Sequence, residues 1–329
     1  MNGCSWEKLL VVRFGSLGDI IHTLPAVATI KYNFPKLHIA WVIEPRWRPI
    51  LEENPFIDEI LEFDRGDWRR AWSTIRLLRH RRFDAAIDFQ GLIKSALVAR
   101  LSGADHVMGF HRSQLRERWA ALLYSEQVGA TALHVVDRNL QFAAAIGASQ
   151  PLVVFPIGPG VPEGELPAGQ FILAAPFSGW RAKEWPLERY EELGELVRRR
   201  LDCPLVLNAS WEWRDKVPRL RDCWWHFSSV NGLIHATRRA TAVVGTDSGP
   251  LHLAAALGKP GVAIFGPTDP RRNGPYTDRM IVLRSPSART TYKRLRSYHP
   301  SMLEIGVQEV FDALLRALAS VNSAGGASE

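Results

Sequence analysis

Short runs of apolar residues alternate along this chain with longer stretches in which apolar residues recur at helical spacing. The short runs, many of them rich in β-branched residues, lie at 9–14, 38–43 and 85–89 in the first half, and at 171–175, 204–208, 242–245 and 261–265 in the second. Continuous apolar strands separated by amphipathic helices are typical of parallel sheets that helices cover on both faces. The pattern predicts an α/β fold.

A stretch rich in proline and glycine divides the chain near its middle. Between 151 and 167 there are five prolines and three glycines, with little charge and no helical periodicity. Strands and helices alternate on both sides of it, and 329 residues are enough for two domains. We expect an N-terminal domain at 1–155, a linker at 156–168 and a C-terminal domain at 169–329, with a last amphipathic helix at 303–318 that could pack on either domain.

Composition limits the class of protein. The chain is 46% hydrophobic and 23% charged, which indicates a folded globular protein. Cys4, Cys203 and Cys223 suit neither a disulfide framework nor a paired-cysteine zinc site, so a reducing compartment fits best. The net charge of +7 implies an acidic partner: nucleic acid, an anionic membrane surface or a phosphorylated substrate. Charge alone does not choose among them.

The segment at 13–21, RFGSLGDII, joins the first predicted strand to a helix predicted over 19–31. Gly15 and Gly18 let the backbone approach a bound group, and the helix N-terminus offers free N–H donors. Asp19 lies in the first turn, where the helix dipole alone would also favour a carboxylate. The segment lacks the full GxGxxG spacing of a dinucleotide-binding fold, so a dehydrogenase is disfavoured.

A second strand-turn-helix unit begins at 245, in GTDSGPLHLAAALGKPGVAIFGPTDP. Ligands of open α/β sheets bind outside the carboxyl ends of the strands, so the residues at this turn can meet phosphate or sugar hydroxyls. The alternative is that the Asp and Ser only cap the helix. The residues concerned are Thr246, Asp247, Ser248 and Gly249.

Several separated motifs, taken in order, resemble the heptosyltransferases of glycosyltransferase family nine. They are RFGSLGDIIHTLPA at 13–26, FDAAIDFQGLIKSA at 83–96, the cluster of Lys183, Trp185 and Pro186, and the segment 245–270. The resemblance implies the GT-B architecture, two doubly wound Rossmann-like domains that face a central cleft, with acceptor held by the first and donor by the second. It also implies inverting transfer of heptose from ADP-heptose to the Kdo of lipid A.

The resemblance further implies roles for individual residues. Asp19 resembles the catalytic base, Lys183 the lysine that meets the donor's phosphates, and Asp247 the residue that hydrogen-bonds the heptose hydroxyls. A positioned ammonium also suits the chemistry, since negative charge grows on the β-phosphate as ADP leaves. The other residues that resemble the donor-binding set are Ser16, Gly18, Ser178, Gly179, Glu212, Thr246, Ser248, Gly249 and His252.

The chain departs from the family pattern on the donor side. The resemblance implies two threonines before the lysine, and this chain has Ser178 and Gly179 there, so one hydroxyl contact to the phosphates is missing. Glu212 is the candidate for the glutamate near the ribose, in an alignment that the sequence leaves open.

The acceptor side is predicted from basic residues. Seven arginines and a single acid, Asp67, lie between 65 and 82, with apolar residues at helical spacing. Either this basic amphipathic helix simply exposes its arginines to solvent, or they meet the acidic groups of the acceptor. The candidate acceptor residues are Arg69, Arg70, Lys94, Arg112, Arg116 and His134.

No metal or cofactor is expected, because the chain has no Asp-x-Asp motif and its histidines lack the paired spacing of a zinc site. The expected partners are ADP-heptose, Kdo-lipid A and the cytoplasmic face of the inner membrane, bound peripherally. Two alternatives stay open: a family-nine transferase for a later heptose or another nucleotide-linked sugar, and a basic nucleic-acid-binding protein, although no nucleic-acid module is recognisable. The segment 87–91 favours the first-heptose enzyme.

Overall fold

A computed structural model describes residues 6–293 and 295–325 of the chain. The chain divides into two compact units, residues 1–158 and 159–329, and the division falls inside the stretch where the linker is predicted. Each unit is an α/β domain built on its own parallel sheet, so the predicted fold class is confirmed.

The N-terminal unit has a six-stranded parallel sheet in the order β3-β2-β1-β4-β5-β6. The strand order reverses direction at β1, so the carboxyl end of β1 is where an open sheet of this kind binds ligands. The strands are β1 Lys8–Val12, β2 His38–Ile43, β3 Glu59–Glu62, β4 Ala85–Asp88, β5 His106–Phe110 and β6 Glu126–Val128.

Four α-helices accompany this sheet, and α1 is the most deeply buried of them. It packs along α4, and the Asn139 side-chain amide of α4 donates a 2.9 Å hydrogen bond to the His22 carbonyl, close to Pro25 within α1. The helices are α1 Leu17–Asn33, α2 Trp68–Arg81, α3 Ile93–Leu101 and α4 Val135–Ala145.

The C-terminal unit also has a six-stranded parallel sheet, in the order β12-β11-β10-β7-β8-β9. Its strands are β7 Ile172–Ala175, β8 Leu205–Ala209, β9 Cys223–Phe227, β10 Ala242–Thr246, β11 Gly261–Phe265 and β12 Met280–Arg284. Its helices are α5 Leu187–Leu201, α6 Val230–Arg239, α7 Gly249–Ala256, α8 Pro270–Asn273, α9 Pro300–Leu303 and α10 Val307–Gly325. The last helix, for which the sequence left both domains open, packs on α5 and β11 of this unit.

Five strands are absent from the sequence prediction, and four of them are sheet edges: β3, β6, β9 and β12. An edge strand faces solvent along one side, so it does not need the continuous apolar run that marks a central strand. β6, for example, has the sequence EQV and buries only its valine. The fifth, β5, is the inner neighbour of β6 and includes Gly109.

The described residues include no helix long and apolar enough to cross a lipid bilayer. Two cysteines are free thiols, Cys203, which is buried, and Cys223, which is partly buried. Burial raises the pKa of the Cys223 thiol to about 12, so it is not a nucleophile at neutral pH. Cys4 lies outside the described residues.

Candidate active site

Asp19 lies in the first turn of α1, just after the carboxyl end of β1. Its Oδ2 accepts hydrogen bonds from the backbone N–H of Ser16 at 3.2 Å and from the Ser16 hydroxyl at 3.0 Å. Its Oδ1 forms an ion pair with Arg13 Nη2 at 2.8 Å. The Asp19 side chain is still 37% exposed, so the carboxylate is oriented by the protein and open to solvent.

Arg13 connects this carboxylate to a second part of the unit. The residue is only 8% exposed, and its Nη1 donates a 2.7 Å hydrogen bond to the Phe89 carbonyl. Next to it, the Phe14 N–H donates to the Gln90 side-chain oxygen at 2.8 Å. The sequence motifs at 13–26 and 83–96 are therefore in direct contact.

Asp88 holds the second of these segments in place. Its carboxylate is fully buried and accepts hydrogen bonds from the Tyr124 hydroxyl at 2.7 Å and from the N–H groups of Gln90 and Gly91 at 2.8 and 3.1 Å. The Ser95 hydroxyl donates at 2.8 Å. Burial raises the pKa of Asp88 although these donors lower it. Asp88 thus fixes the turn that receives Arg13.

The candidate acceptor residues all follow the carboxyl ends of strands in the N-terminal sheet. Arg69 and Arg70 lie in the first turn of α2, after β3, and Lys94 lies in the first turn of α3, after β4. Arg112 begins a short 3₁₀ helix after β5, and Arg116 follows it. The strands are parallel, so their carboxyl ends lie on the same side of the sheet. These residues therefore follow the strands on the side at which Asp19 lies.

Some of these residues also have local partners. Arg70 lies 3.5 Å from Asp67 and 3.7 Å from Asp64, with its side chain 75% exposed. His134 is the N-cap of α4, and its Nδ1 accepts a hydrogen bond from the Val136 N–H at 3.2 Å. The side chain of His134 therefore has a capping role, and the acceptor roles of the whole set stay predictions.

In the C-terminal unit, three side chains meet at the carboxyl end of β10. Asp247 Oδ2 lies 3.1 Å from Lys183 Nζ, and Asp247 Oδ1 lies 3.4 Å from His252 Nε2. The Asp247 side chain is only 8% exposed. Burial by itself would raise the pKa of Asp247, but the hydrogen bond with His252 and the charge of Lys183 outweigh burial and hold that pKa well below its usual range. Asp247 is a carboxylate at neutral pH.

Two hydroxyl groups beside Asp247 are buried and make no hydrogen bond within the described part of the chain, Thr246 Oγ1 and Ser248 Oγ. Ser248 is the N-cap of α7, yet its side chain makes no capping hydrogen bond, so it does not have the purely structural role that the sequence left open. Gly249 is the first residue of α7. Buried hydroxyls without a protein partner are suited to bind the oxygen atoms of a ligand.

The loop after β7 contains Ser178 and Gly179. The Ser178 hydroxyl donates to the Trp180 carbonyl at 2.7 Å, and the Ser178 N–H donates to Glu184 at 3.0 Å. The Ser178 side chain is thus used within its own loop. A Cβ atom on Gly179 would meet no heavy atom within 4 Å, so the space for a side chain there is open.

Glu212 is exposed and lies in the 3₁₀ helix Trp211–Trp213, after β8. Its Oε1 accepts a hydrogen bond from the Ser210 hydroxyl at 2.9 Å. The neighbouring Trp213 ring stacks on Phe177, with ring centroids 4.2 Å apart and an interplanar angle of 11°. This stack holds the loop of Ser178 beside the loop of Glu212.

Arg13 and the pair of Phe177 and Trp213 have no role that the sequence predicts. The one available signal for Arg13 was a charged residue directly after an apolar strand, at the carboxyl end where sites form. Nothing in the sequence indicates that Trp213 would stack on Phe177. Among the described residues, no group of three or more His, Cys, Asp or Glu side chains is arranged to hold a metal ion.

Comparisons with known proteins agree with the resemblance described above. The model of glycosyltransferase family 9 (heptosyltransferase) matches residues 71–300. Lipopolysaccharide heptosyltransferase 1 of Escherichia coli K12 is 30% identical over 305 residues, which cover 85% of this chain and 94% of that protein. Lipopolysaccharide heptosyltransferase 1 of Pseudomonas aeruginosa is 31% identical over 291 residues, 82% of this chain and 81% of that protein.

Solved structures show the same fold. The E. coli heptosyltransferase WaaC with ADP superposes with a TM-score of 0.74 at 24% identity, covering 93% of this chain and 98% of that chain. A family 9 glycosyltransferase from Veillonella parvula has a TM-score of 0.80 at 19% identity, covering 97% of this chain and all of that chain. The predicted family is confirmed: this chain belongs to glycosyltransferase family 9, the heptosyltransferases.

Proposed function

We propose that this chain is an inverting glycosyltransferase that moves heptose from ADP-heptose to the Kdo of lipid A without a metal ion. The similarity to proteins named lipopolysaccharide heptosyltransferase 1, which covers more than four fifths of this chain, supports the substrate assignment. The observation that carries the chemistry is the cluster of Lys183, Asp247 and His252 beside the buried hydroxyls of Thr246 and Ser248.

On the acceptor side, Asp19 acts as the general base. A Kdo hydroxyl attacks the anomeric carbon of heptose, the bond from that carbon to the β-phosphate oxygen breaks, and the hydroxyl proton passes to Asp19. The ion pair with Arg13 and the two hydrogen bonds from Ser16 hold the Asp19 carboxylate in one orientation. The exposed part of Asp19 leaves room for the hydroxyl to approach.

On the donor side, Lys183 and the N-terminus of α7 stabilise the charge that grows on the leaving β-phosphate. An ammonium group has three donors, so Lys183 can keep its contact with Asp247 and still donate to a phosphate oxygen. Asp247, held ionised, accepts hydrogen bonds from the heptose hydroxyls. Thr246, Ser248 and the N–H of Gly249 complete the donor contacts, with Ser16, Gly18, Ser178, Gly179, Glu212 and His252 as the further donor-binding residues.

The metal-free mechanism follows from these donors and from the lack of an Asp-x-Asp motif in the sequence. Lys183 supplies the positive charge for which many other glycosyltransferases use a divalent ion. We expect the same rate with and without a strong chelator. Activity that is lost with the chelator and restored by magnesium would contradict this part of the proposal.

The acceptor carries acidic sugars and phosphates on a lipid, and the basic side chains at the N-terminal edge suit such a ligand. Arg69, Arg70, Lys94, Arg112, Arg116 and His134 are the proposed acceptor residues. A lipid-linked acceptor also places the enzyme at the cytoplasmic face of the inner membrane, as a peripheral protein.

The test is the mass of the product and the release of ADP when the purified chain meets ADP-heptose and Kdo-bearing lipid A. One added heptose, with inverted configuration and in the presence of the chelator, is the expected result. ADP release only with an acceptor that already carries heptose would identify a later step of the same pathway. No release with either acceptor would mean that the assigned donor or acceptor is wrong.

A further inference from the structure

Four of the large apolar side chains that are exposed on the N-terminal unit lie on two adjoining elements, and the candidate site uses none of the four. Leu122 is 75% exposed and Trp119 is 73% exposed, while Leu97 and Ile93 are 45% and 42% exposed. We call these four residues the apolar patch. Exposed apolar side chains are unremarkable when scattered singly, but a group of them on adjoining elements marks an interaction surface.

The apolar patch is formed by two elements that pack against each other, α3 and the 3₁₀ helix Arg118–Leu123. The N–H of Ile93 donates a 2.8 Å hydrogen bond to Glu117, which directly precedes the 3₁₀ helix. Residues three apart in a 3₁₀ helix share one side, as do residues four apart in an α-helix. Trp119 therefore projects beside Leu122, and Ile93 beside Leu97.

The other side of each element is anchored in the core. Ala120 and Ala121 of the 3₁₀ helix are buried, and so are Ala96 and Ala99 of α3. The apolar patch is thus held on elements that are packed against the core. Its tryptophan and aliphatic side chains are suited to enter the interfacial zone of a bilayer, where the indole ring is favoured.

The charge around the apolar patch is basic. Between residues 93 and 123 the chain carries five lysines and arginines against two acids, Asp105 and Glu117. None of the five basic side chains forms an ion pair within residues 6–293 and 295–325. The five are Lys94, Arg100, Arg112, Arg116 and Arg118. Unpaired basic side chains around an apolar patch are complementary to anionic lipid headgroups.

We propose that the apolar patch inserts into the interface of an anionic membrane, while the surrounding basic side chains contact the headgroup phosphates. This docking surface depends on the proposed function in one respect: a lipid-linked acceptor requires the enzyme to reach a membrane. α3 begins after β4 and the 3₁₀ helix follows β5, so Ile93 and Trp119, in the first turns of these elements, lie toward the side of the sheet at which Asp19 lies. Docking through the apolar patch presents this side of the sheet to the sugars that project from the lipid surface.

The experiment is co-sedimentation of the full chain with vesicles of phosphatidylcholine and phosphatidylglycerol, without substrates. We expect Trp119→Ser/Leu122→Ser to bind these vesicles at least about tenfold more weakly than the wild type. The matched control is Trp68→Ser/Trp72→Ser, which removes two exposed tryptophans from α2, 75% and 47% exposed, and leaves the apolar patch intact. It should bind within about twofold of the wild type.

A charge variant, Arg100→Glu/Arg118→Glu, should bind the anionic vesicles about tenfold more weakly than the wild type does. The wild type should show a similar loss on vesicles of phosphatidylcholine alone, because they carry no net negative charge. Three results would overturn the proposal: wild-type binding by Trp119→Ser/Leu122→Ser, an equal loss in the control, or no vesicle binding by the wild type, which would assign the apolar patch to a protein partner.

Turnover with a detergent-dispersed acceptor separates this proposal from the proposed function. We expect Trp119→Ser/Leu122→Ser to keep wild-type turnover under that condition and an unchanged thermal midpoint, because the four side chains lie on the surface. Vesicle binding that depends on the apolar patch would stand even if the chain released no ADP.

Discussion

Asp19 and Asp247 each follow the carboxyl end of a central parallel strand and lie at the start of a helix, yet the two units surround them differently. The Asp19 side chain is 37% exposed and forms an ion pair with Arg13. The Asp247 side chain is 8% exposed and lies between Lys183 and His252, with its pKa held low. One topology therefore supplies an accessible carboxylate, Asp19, and an enclosed carboxylate, Asp247, that stays charged.

The largest effect is expected at the accessible carboxylate. Asp19→Ala should lower kcat by about 10² to 10⁴, the usual contribution of a general base, and leave the Kd for ADP unchanged. Steady-state kinetics and calorimetric titration of ADP measure the two quantities. Asp67→Asn is the control, because asparagine caps α2 as well as aspartate does and should keep full activity. Comparable loss in both variants would remove Asp19 from the mechanism.

The donor-side cluster around Asp247 is tested by changing its cationic partner, Lys183. Lys183→Met keeps the apolar stem and removes the charge, so kcat should fall by about 10² to 10³ and the Kd for ADP should rise. Lys216→Met, which changes an exposed lysine in the same unit, should change neither. If Lys183→Met bound ADP and turned over like the wild type, the leaving group would have to be stabilised by other residues.

Variants at Arg13 test whether this residue positions the Asp19 carboxylate or takes part in the reaction itself. Arg13→Gln should reduce kcat by about 10-fold to 100-fold, the value of a charged hydrogen bond, without raising the KM for ADP-heptose. Arg13→Lys should recover part of the loss, because it restores the charge but not both contacts, to Asp19 and to Phe89. The double variant Arg13→Gln/Asp19→Ala should be no slower than Asp19→Ala alone. Additive losses would show that Arg13 acts independently of Asp19.

The lowered pKa of Asp247 predicts how stability varies with pH. A carboxyl whose pKa is lower in the folded chain than in the unfolded chain stabilises the fold above its unfolded pKa of about 3.9, and this stabilisation is lost as the pH falls toward the folded pKa. The difference in free energy of unfolding between the wild type and Asp247→Asn should therefore shrink from about pH 7 to about pH 3. Urea unfolding measures it, and a difference that grew as the pH fell would contradict the assignment.

The smallest effect is expected in the loop of Ser178 and Gly179. Gly179→Thr introduces a hydroxyl where a Cβ has open space, and should lower the Kd for ADP by about twofold to fivefold. Gly169→Thr is the matched control, since its Cβ would also meet nothing within 4 Å. Weaker binding by Gly179→Thr, with the control unchanged, would show that this chain needs the glycine.

Most of the fold was open to prediction because parallel central strands are buried on both faces. The strands at 38–43 and 261–265 were predicted to the residue for this reason. The edge strands β3, β6, β9 and β12 were missed, because a strand with one free side has no need of a continuous apolar run. Those residues of the candidate site that lie in short sequence motifs were predicted, and the contacts between different motifs were not.

The α/β alternation and the two glycine-containing turns that bear Asp19 and Asp247 can be predicted from the sequence, because they depend on residues close together in the chain. Three features need the folded chain: Arg13 reaches both Asp19 and Phe89, Lys183 pairs with Asp247 across 64 residues, and the Ser248 hydroxyl does not cap its helix. These contacts join segments far apart in sequence, or depend on which of several nearby groups a side chain meets. Local periodicity carries no information about either.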